Sequence, residues 1–516
     1  MNSIVIVSPR QLAWFAVSTM LAKQNAVVEL LRISPLSDEL AALFTKAGHS
    51  LFLVGGSVRD ALLGRLGTDL DYTTDARPEE VMRLVSGWAD AVWDIGIAFG
   101  TVGATKGGVT CEITTFRADS YDGVSRNPEV QFGNSIEDDL KRRDFTVNAM
   151  AVNLATKQFV DPYDGMTALS SRILDTPATP QESFGDDPLR MMRAARFTSQ
   201  LGFTPAPRVV EALHEMNEQI TRITPERIQV ELSKLLCGAN PRLGIELLVD
   251  SGLAAHVLPE VPAMRLEIDE HHQHKDVYEH SLVVLAQAID LEEEGSEPDL
   301  VLRLAALLHD IGKPDTRRHL PGGGVSFHHH EVVGAKMARK RLRALRYSKE
   351  IIENVANLVF LHLRFHGYGK GEWTDSAVRR YVTDAGPLLS RLNKLVRADC
   401  TTRNRRKAQA LQRSYDDLEA RIARIAAEED LARVRPDLDG NEIMKLLGLP
   451  PGPMVGKAWK FLKDLRLDRG PLDHDEAVAE LRRWAAEQGL GGSPLPAAGE
   501  HVADGPDQVD DDRHDD

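Results

Sequence analysis

Residues 51–71, LFLVGGSVRDALLGRLGTDLD, predict a strand–turn–helix–turn–strand unit around which the N-terminal part of the chain is built. The apolar run LFLV is typical of a short buried strand. Gly55 and Gly56 follow it, and because they lack a side chain they allow a sharp turn and a close approach of the backbone to a ligand. We expect Ser57 to cap the helix that starts at Val58.

Two carboxylates, Asp69 and Asp71, close this unit. Side chains two residues apart on a strand lie on the same face, so the two acids repel each other unless a cation lies between them. The glycine turn and Arg59 offer a place for an anion. An anion site beside paired acids indicates Mg²⁺ and a nucleoside triphosphate. The sequence has no P-loop motif G-x-x-x-x-G-K-S/T, so the glycine turn would have to hold the phosphates.

A third carboxylate, Glu112, lies in the β-rich stretch 109–116. If that strand lies beside the strand of Asp69 and Asp71, Glu112 completes a three-acid site. The alternative is an ordinary solvent-facing strand residue, and the alternating pattern by itself favours neither. The turn-rich stretch 120–128, SYDGVSRNP, predicts a mobile loop near this site.

Length and composition predict a soluble protein of several domains. A chain of 516 residues is too long for one core, and 42% hydrophobic with 27% charged residues is ordinary for globular proteins. The three cysteines lie far apart without disulfide or metal spacing, which indicates a reducing cytoplasm. The sequence contains no apolar run of about eighteen residues and no convincing secretory cleavage site, so neither a membrane span nor a leader is expected.

The net charge of −15 argues only superficially against a nucleic-acid partner. Residues 496–516 hold eight acids and one arginine, so this aperiodic tail alone carries −7 and is expected to be disordered. Basic residues cluster elsewhere, either as solvated helix faces or as a surface that follows a phosphate backbone. The clusters are 141–143, Arg190 with Arg193 and Arg196, 339–346 and 403–407.

Two further segments carry polar groups suited to a nucleotide. Residues 139–150, DLKRRDFTVNAM, predict a helix with one packed face and one face for phosphates or ribose hydroxyls. Asp187 and Arg190 lie at i and i+3 near a helix start, where a plain ion pair is one interpretation. In the other, Asp187 accepts from an exocyclic amine and Arg190 donates to the adjacent ring nitrogen, which matches C and A and mismatches G and U.

Histidines are dense only between residues 271 and 366. His309-Asp310 ends an apolar helix, while His280 and Asp399 lie on helices before and after it. An H…HD…D set drawn from separate helices predicts a metal site with nitrogen and oxygen ligands. His330 and His362 could hold a second ion; otherwise these histidines are ordinary surface or core residues. Hydrolysis of phosphate esters is the chemistry expected of such a site.

Six motifs in order resemble one known family. VGGSVRD, DLDYTT, EITTFR, DLKRRDFTVNAM, DPYDG and DDPLRMMRAARF closely resemble the bacterial class II tRNA nucleotidyltransferases, or CCA-adding enzymes. These share their head domain with poly(A) polymerases in the DNA polymerase β superfamily. The later histidines resemble the HD phosphohydrolase domain fused to many of them. The resemblance runs from about residue 36 to about residue 475.

The resemblance implies a role for each matching residue. Asp69 and Asp71 would bind two Mg²⁺ ions, and Glu112 would align the attacking 3′-hydroxyl of tRNA. The nucleotide, CTP or ATP, would be bound by Gly55, Gly56, Arg59, Arg143, Asp144, Asn148, Asp187, Arg190, Arg193 and Arg196. Arg227 and Glu231 fall in the last nucleotide-site motif and would play a supporting part. The HD site would take another divalent transition metal.

The expected organisation is α+β, with a polymerase-β-like head and a small mixed sheet followed by an all-α body. Its divisions are an N-terminal extension (1–35), the head (36–175), a helical nucleotide-recognition and RNA-binding neck (176–265), an HD domain (266–425), a C-terminal helical RNA-binding region (426–490) and the acidic tail (491–516).

Four other functions are compatible with these motifs. Asp187 and Arg190 accept A as well as C, so an enzyme restricted to A addition or a poly(A) polymerase has the same pair. An enzyme restricted to CC addition would differ mainly in the flexible loop. In a different class of function, the HD domain is the main activity and the head serves as an RNA-binding module. The residues that argue against it are the intact Asp69, Asp71, Glu112 and Arg190.

Overall fold

A computed structural model describes residues 35–65, 69–96, 100–117, 132–133, 135–265, 276–321, 325–365, 373–400, 405–429 and 435–490. The predicted extension up to residue 34, the loop 120–128 and the acidic tail lie outside these ranges. In the described part of the chain, no helix has the length and apolar character needed to cross a membrane. The contacts divide the chain into two units, one comprising Met1–Phe365 with Pro387–Gln412, the other His366–Gly386 with Arg413–Asp516.

The head of the first unit is built on one seven-stranded sheet. Its strand order is β3-β4-β5-β2-β1-β6-β7, and only β2 and β5 pair in parallel. The strands are β1 Leu51–Val54, β2 Asp69–Thr74, β3 Ala91–Gly96, β4 Thr101–Lys106, β5 Val109–Thr115, β6 Ala151–Asn153 and β7 Phe159–Val160.

Alternation along β2 separates the core from the open face of this sheet. Leu70 and Tyr72 are buried, whereas Asp69 and Asp71 between them are exposed. The apolar side packs against α1 (Pro35–Lys46) and α3 (Pro78–Ser86), in a core that also contains Val58 and, from β5, Ile113. Because one face is filled by apolar side chains, the register of the strands is fixed and the acids are left on the other face.

Helices make up most of the rest of the chain. Following α1, they are α2 Gly56–Leu62, α3, α4 Ile136–Lys141, α5 Gly165–Ser171, α6 Pro180–Asp186, α7 Leu189–Leu201, α8 Pro207–Met216, α9 Pro225–Leu236, α10 Pro241–Asp250, α11 Leu253–Val257, α12 Val277–Asp290, α13 Leu300–Leu308, α14 Lys313–Thr316, α15 His330–Ala344, α16 Lys349–Leu361, α17 Asp375–Ala385, α18 Leu389–Ala398, α19 Arg405–Glu429, α20 Gly440–Leu447, α21 Pro453–Arg469 and α22 His474–Glu487. Two short strand pairs, Ile173–Leu174 with Thr204–Pro205 and Arg318–His319 with Val325–Ser326, interrupt the otherwise helical body.

In the first unit, α7 packs against α9 and α10, and α13 packs against α12, α16 and α18. In the second unit, α21 packs against α17, α20 and α22 around Leu462 and Leu481. Its helix α20 begins with a capping box, in which the Asp439 side chain accepts from the Glu442 backbone and the Glu442 side chain accepts from the Asp439 backbone.

Two predictions of local structure are wrong. Residues 139–150 do not form one helix, because α4 ends at Lys141 and a 3-10 turn follows at Thr146–Asn148. The Asp144 carboxylate accepts from the Phe145 backbone N–H, a local bond that competes with helix formation. Ser57 is not a cap either: α2 already begins at Gly56, and the Ser57 hydroxyl instead accepts from the Asp71 backbone N–H at 3.0 Å.

Candidate active site and candidate metal centre

The three predicted acids of the head lie together on the open face of the sheet. β2 and β5 pair in parallel with Asp71 directly opposite Glu112, and Asp69 precedes Asp71 by two residues. All three side chains are exposed. Desolvation raises the pKa of Asp71, and the Asp69 charge adds to this while Arg143 and Arg59 oppose it. Desolvation and the charges of Asp71 and Asp69 raise the pKa of Glu112 as well. Clustered oxygen ligands that repel one another suit a hard divalent cation.

The glycine turn lies beside these acids, and the guanidinium of Arg143 lies against the turn. Gly55 has φ of 70°, which disfavours any residue with a side chain. A Cβ atom at this position would lie 2.8 Å from the Arg143 Nη1 and 3.9 Å from the Asp71 Oδ2. Arg143 therefore occupies the space that the missing side chain leaves. Its Nη2 donates to Asp139 at 3.1 Å, while its buried Nε has no hydrogen-bond partner among the described residues.

A chain of buried hydrogen bonds joins the turn to the helical body. Arg59 Nη1 donates to Asn148 Oδ1 at 2.5 Å, and Asn148 Nδ2 donates to Asp144 Oδ1 at 2.9 Å. Arg193 Nε of α7 donates to Asp144 Oδ2 at 2.7 Å. Burial would raise the pKa of Asp144, but Arg193 and Asn148 hold it far below the usual range. Asp144 is thus a permanent anion that fixes the positions of both partners.

Three guanidinium groups surround the ring of Phe197. Arg196 lies 4.3 Å from its centroid, Arg59 5.2 Å and Arg193 5.4 Å. Glu231 of α9 lies 3.2 Å from Arg196 and offsets part of this charge. Burial and the neighbouring Arg193 lower the pKa of Arg196 to about 10. Phe197 directly follows the arginine-rich stretch 190–196, and its apolar side chain offers no sequence signal of a site residue.

The predicted base-reading residues are each held by a partner. Asp187 lies outside the helix, between α6 and α7, and accepts from the Arg227 Nη2 at 2.9 Å. Arg190 lies in the first turn of α7, where its Nη1 donates to the Ser183 hydroxyl at 2.9 Å and its Nη2 to the Arg142 carbonyl at 2.5 Å. The ion pair of Asp187 is therefore with Arg227 of α9, from the motif expected to play a supporting part.

The histidine cluster lies in the helical body, where α12, α13 and α18 bring its first group together. His280 Nε2 lies 3.2 Å from His309 Nε2, and both approach one oxygen of Asp310, the Oδ2, at 3.5 and 3.2 Å. Asp399 Oδ1 lies 2.9 Å from His280 and 3.6 Å from His309. All four residues of the predicted H…HD…D set are therefore neighbours.

The second group shares Asp310 with the first. His330 Nε2 and His362 Nε2 lie 3.2 and 3.8 Å from its other oxygen, the Oδ1, and 3.3 Å from each other. Asp310 is buried, as are His330 and His362, and Lys313 donates to its Oδ2 at 2.5 Å. Each group satisfies the distances expected of a metal site, with one carboxylate between them.

Backbone carbonyls orient three of these imidazoles. A carbonyl oxygen only accepts, so each Nδ1 carries the proton and each Nε2 is free to bind a cation when the ring is neutral. The acceptors lie at 2.9 Å (Ala306 for His309), 2.7 Å (Phe327 for His330) and 2.6 Å (Val359 for His362). Two Nε2 lone pairs facing each other at about 3 Å repel unless a proton or a metal ion lies near them, so these residues fit a metal.

Charge within the cluster is divided unequally. Burial would lower the pKa of His309, but Asp310 and Asp399 raise it to about 10. Burial and the neighbouring His309 lower the pKa of His362 to about 4. In the absence of a metal, a proton on His309 therefore compensates the two carboxylates, and a divalent cation would take over that function.

Three domain families match the chain in order. They are described as the poly A polymerase head domain (residues 51–175), a probable RNA and SrmB-binding site of polymerase A (202–264) and the HD domain (277–427). The acid site lies in the first of these, and the described histidine cluster lies in the third.

Two curated relatives match nearly their whole length. The CCA-adding enzyme of Anoxybacillus flavithermus is 30% identical over 439 residues, covering 85% of this chain and 93% of the relative. The A-adding tRNA nucleotidyltransferase of Deinococcus radiodurans is 33% identical over 441 residues, covering 84% and 95%. Among solved structures, the Bacillus stearothermophilus CCA-adding enzyme in complex with CTP has the same fold, with a TM-score of 0.65 at 24% identity over 88% of this chain and 99% of that one.

The sheet, the three acids and the matched domains define a nucleotidyltransferase with a poly(A)-polymerase-type head and a fused HD domain. The chain belongs to the family of CCA-adding and A-adding tRNA nucleotidyltransferases.

Proposed function

We propose that this protein transfers CMP and AMP from CTP and ATP to the 3′ end of tRNA, and so builds or repairs the CCA terminus. The observation that carries the proposal is the parallel register that sets Asp71 opposite Glu112, with Asp69 on the same face and the Gly55 turn adjacent. Carboxylates beside a glycine turn and an arginine suit attack on the α-phosphorus of a nucleotide.

In this proposal Asp69 and Asp71 hold divalent ions, Mg²⁺ being the one that oxygen ligands favour. When bound, Mg²⁺ lowers the pKa of the RNA 3′-hydroxyl and neutralises the leaving pyrophosphate. Glu112 aligns the hydroxyl. Gly55 and Gly56 allow the triphosphate to approach the backbone, and Arg143 supplies positive charge beside it.

The base is selected by Asp187 and Arg190. An acceptor next to a donor matches the Watson–Crick edges of C and A and mismatches those of G and U. Arg227 holds the Asp187 carboxylate, and the Arg142 carbonyl with Ser183 holds Arg190, so both groups are ordered before the base arrives. Ordered groups lose less entropy on binding, which favours selectivity.

The proposed divisions of the chain follow the same assignment. Residues 36–175 carry the transfer chemistry, 176–265 the nucleotide recognition, and 426–490 contribute to RNA binding together with the neck. A helical surface that reads shape and phosphates suits a partner whose sequence varies among tRNAs. The three thiols are unpaired, which supports a reducing compartment such as the cytoplasm.

The rival in the same class is an enzyme that adds only A, supported by the 33% identity to an A-adding relative. The deciding experiment supplies protein and Mg²⁺ with tRNAs that end before CCA, after C and after CC, together with labelled CTP, ATP or both. Ordered addition of two C and one A, followed by arrest, is the expected result. Addition of A to the CC-ended tRNA alone would favour the rival, and A tails on any RNA would indicate a poly(A) polymerase.

A second candidate function, hydrolysis of phosphate esters, is favoured by the two buried groups that share Asp310. Mixed nitrogen and oxygen ligands suit Mn²⁺, Fe²⁺, Co²⁺, Ni²⁺ or Zn²⁺ better than Mg²⁺. His280, His309 and Asp399 would hold one ion, and His330 and His362 the other. The test is hydrolysis of phosphomonoesters and cyclic phosphodiesters after loading with each metal. Absence of both hydrolysis and metal uptake would exclude this function.

A further inference from the structure

Asp139 of α4 is a fully buried carboxylate that the assigned site residues do not include. Its side chain has no solvent exposure. Oδ1 accepts from the Arg142 Nε and Nη2 at 3.1 and 2.8 Å and from the Arg117 backbone N–H at 3.3 Å. Oδ2 accepts from the Arg143 Nη2 at 3.1 Å. Burial would raise the pKa of this acid, but Arg142 and Arg143 keep it below the usual range, so Asp139 is an anion at neutral pH.

The partners of Asp139 belong to three parts of the candidate active site. The Arg143 guanidinium binds Asp139 and reaches the space above Gly55. Arg142, which the same carboxylate holds through two hydrogen bonds, presents its backbone carbonyl to Arg190. The Arg117 amide lies two residues after the end of β5, the strand of Glu112.

An arginine side chain needs such a partner to stay in one place. Arg143 has several rotatable bonds and loses side-chain entropy on becoming fixed. Within the part of the chain that the structure describes, its guanidinium makes one hydrogen bond to another side chain, that of Asp139, and its Nε has no partner. The fork of the guanidinium lets one nitrogen bind Asp139 while another, Nη1, faces the glycine turn.

We propose that Asp139 is a positioning residue that holds the Arg143 guanidinium over the Gly55 turn, where it meets the triphosphate end of CTP or ATP. The inference rests on the proposed transferase function. Asp139 does not touch the nucleotide, so its contribution acts through Arg143 and is the same for both nucleotides.

The test compares Asp139→Asn with Asp138→Asn, an exposed neighbour on the same helix. With full-length protein, Mg²⁺ and tRNA, we expect Asp139→Asn to raise KM for CTP and ATP by about tenfold, equivalent to about 1.4 kcal/mol. The inhibition constant of pyrophosphate should rise by the same factor, and kcat should change less. Asp138→Asn should match the wild type. A role in folding alone would lower the active fraction, and hence the apparent kcat, without changing KM.

A double-mutant cycle with Arg143→Ala separates the two residues. If Asp139 acts through Arg143, Asp139→Asn adds little further loss of pyrophosphate affinity once Arg143 is Ala. Additive losses would overturn the inference, and so would an unchanged KM and an unchanged pyrophosphate inhibition constant in Asp139→Asn. In both cases, normal nucleotide transfer by the wild type would still support the proposed function. A wild-type protein that incorporates no nucleotide would overturn both.

If Asp139→Asn fails to fold, Arg143→Lys provides the same test. Lysine keeps the charge but lacks the fork that binds Asp139 and faces the turn at once. We expect the same rise in KM and in the pyrophosphate inhibition constant, and wild-type values would contradict the inference.

Discussion

The acid site of the head and the histidine cluster of the HD region are both groups of candidate metal ligands, but they are built differently. The head uses carboxylate oxygens on an exposed sheet face. The parallel pairing of β2 with β5 brings these ligands together within one sheet. The HD region places four imidazoles around Asp310, of which those of His309, His330 and His362 are buried and that of His280 is half-buried. An open oxygen site suits a weakly held ion that arrives with a nucleotide, whereas a buried mixed site suits a resident metal.

The largest expected effect tests whether the head site works alone. Asp69→Ala and Asp71→Ala should each lower nucleotide transfer by about a thousandfold or more, because the remaining acids cannot hold the ions at the reacting phosphate. Binding of tRNA and hydrolysis by the HD region should be unchanged. Glu79→Gln, an exposed acid on α3, serves as the control. Retained transfer in either alanine variant would remove the metal assignment.

The reciprocal change tests whether the HD region works alone. Asp310→Asn should lose both metal ions and reduce hydrolysis by about a hundredfold or more, because its carboxylate lies between both groups. His362→Ala should lose only one of the two ions, as measured by metal analysis of the purified protein. Transfer should stay within about twofold in both variants. Equal metal content in the two variants would contradict the shared-carboxylate arrangement.

A smaller effect tests whether Arg190 selects the base. Arg190→Ala should reduce the preference for CTP and ATP over UTP and GTP by about ten- to a hundredfold, because one hydrogen bond to the base edge is lost. The dissociation constant for tRNA should change by less than about twofold. Primer extension with each nucleotide separately gives the measurement. A variant that still excludes UTP and GTP would show that other groups read the base.

The smallest effect concerns a contact between α9 and the HD region. The Tyr347 hydroxyl lies 3.0 Å from the hydroxyl of Ser233 on α9, and Ser233 donates to the Gln229 carbonyl, so Tyr347 is the donor between them. Tyr347→Phe should cost about 1 kcal/mol of unfolding free energy at pH 8.

The pH dependence of this contact has a defined sign. Burial raises the pKa of Tyr347 from 10.0 to about 12, so its stabilising contribution is complete below pH 10 and is lost as pH rises towards 12. Phenylalanine does not titrate. Urea unfolding of wild type and Tyr347→Phe should therefore show a difference at pH 8 that narrows by pH 11. A constant difference would mean that the phenol is not buried.

The family and the general fold could be predicted from the sequence because local patterns carry them. The alternation of Asp69, Leu70 and Asp71 already places both acids on one face, and the HD dipeptide already marks a helix end. The comparisons confirm the family and the fold class. The boundaries of secondary structure were less predictable, since Asp144 and Ser57 bond to nearby or distant backbone groups that periodicity does not reveal.

The sequence by itself determined which residues are candidates for chemistry, because spacing along a strand or helix fixes which side chains share a face. Only the tertiary structure decided which of them meet. The register of β2 and β5 sets Glu112 opposite Asp71, and the hydrogen bond that Arg143 donates to Asp139 holds its guanidinium beside Gly55. Two histidine pairs share Asp310. Each of these contacts joins residues that are distant in sequence or lie on either side of a helix end. Such contacts depend on the packing of whole elements, which no local pattern encodes.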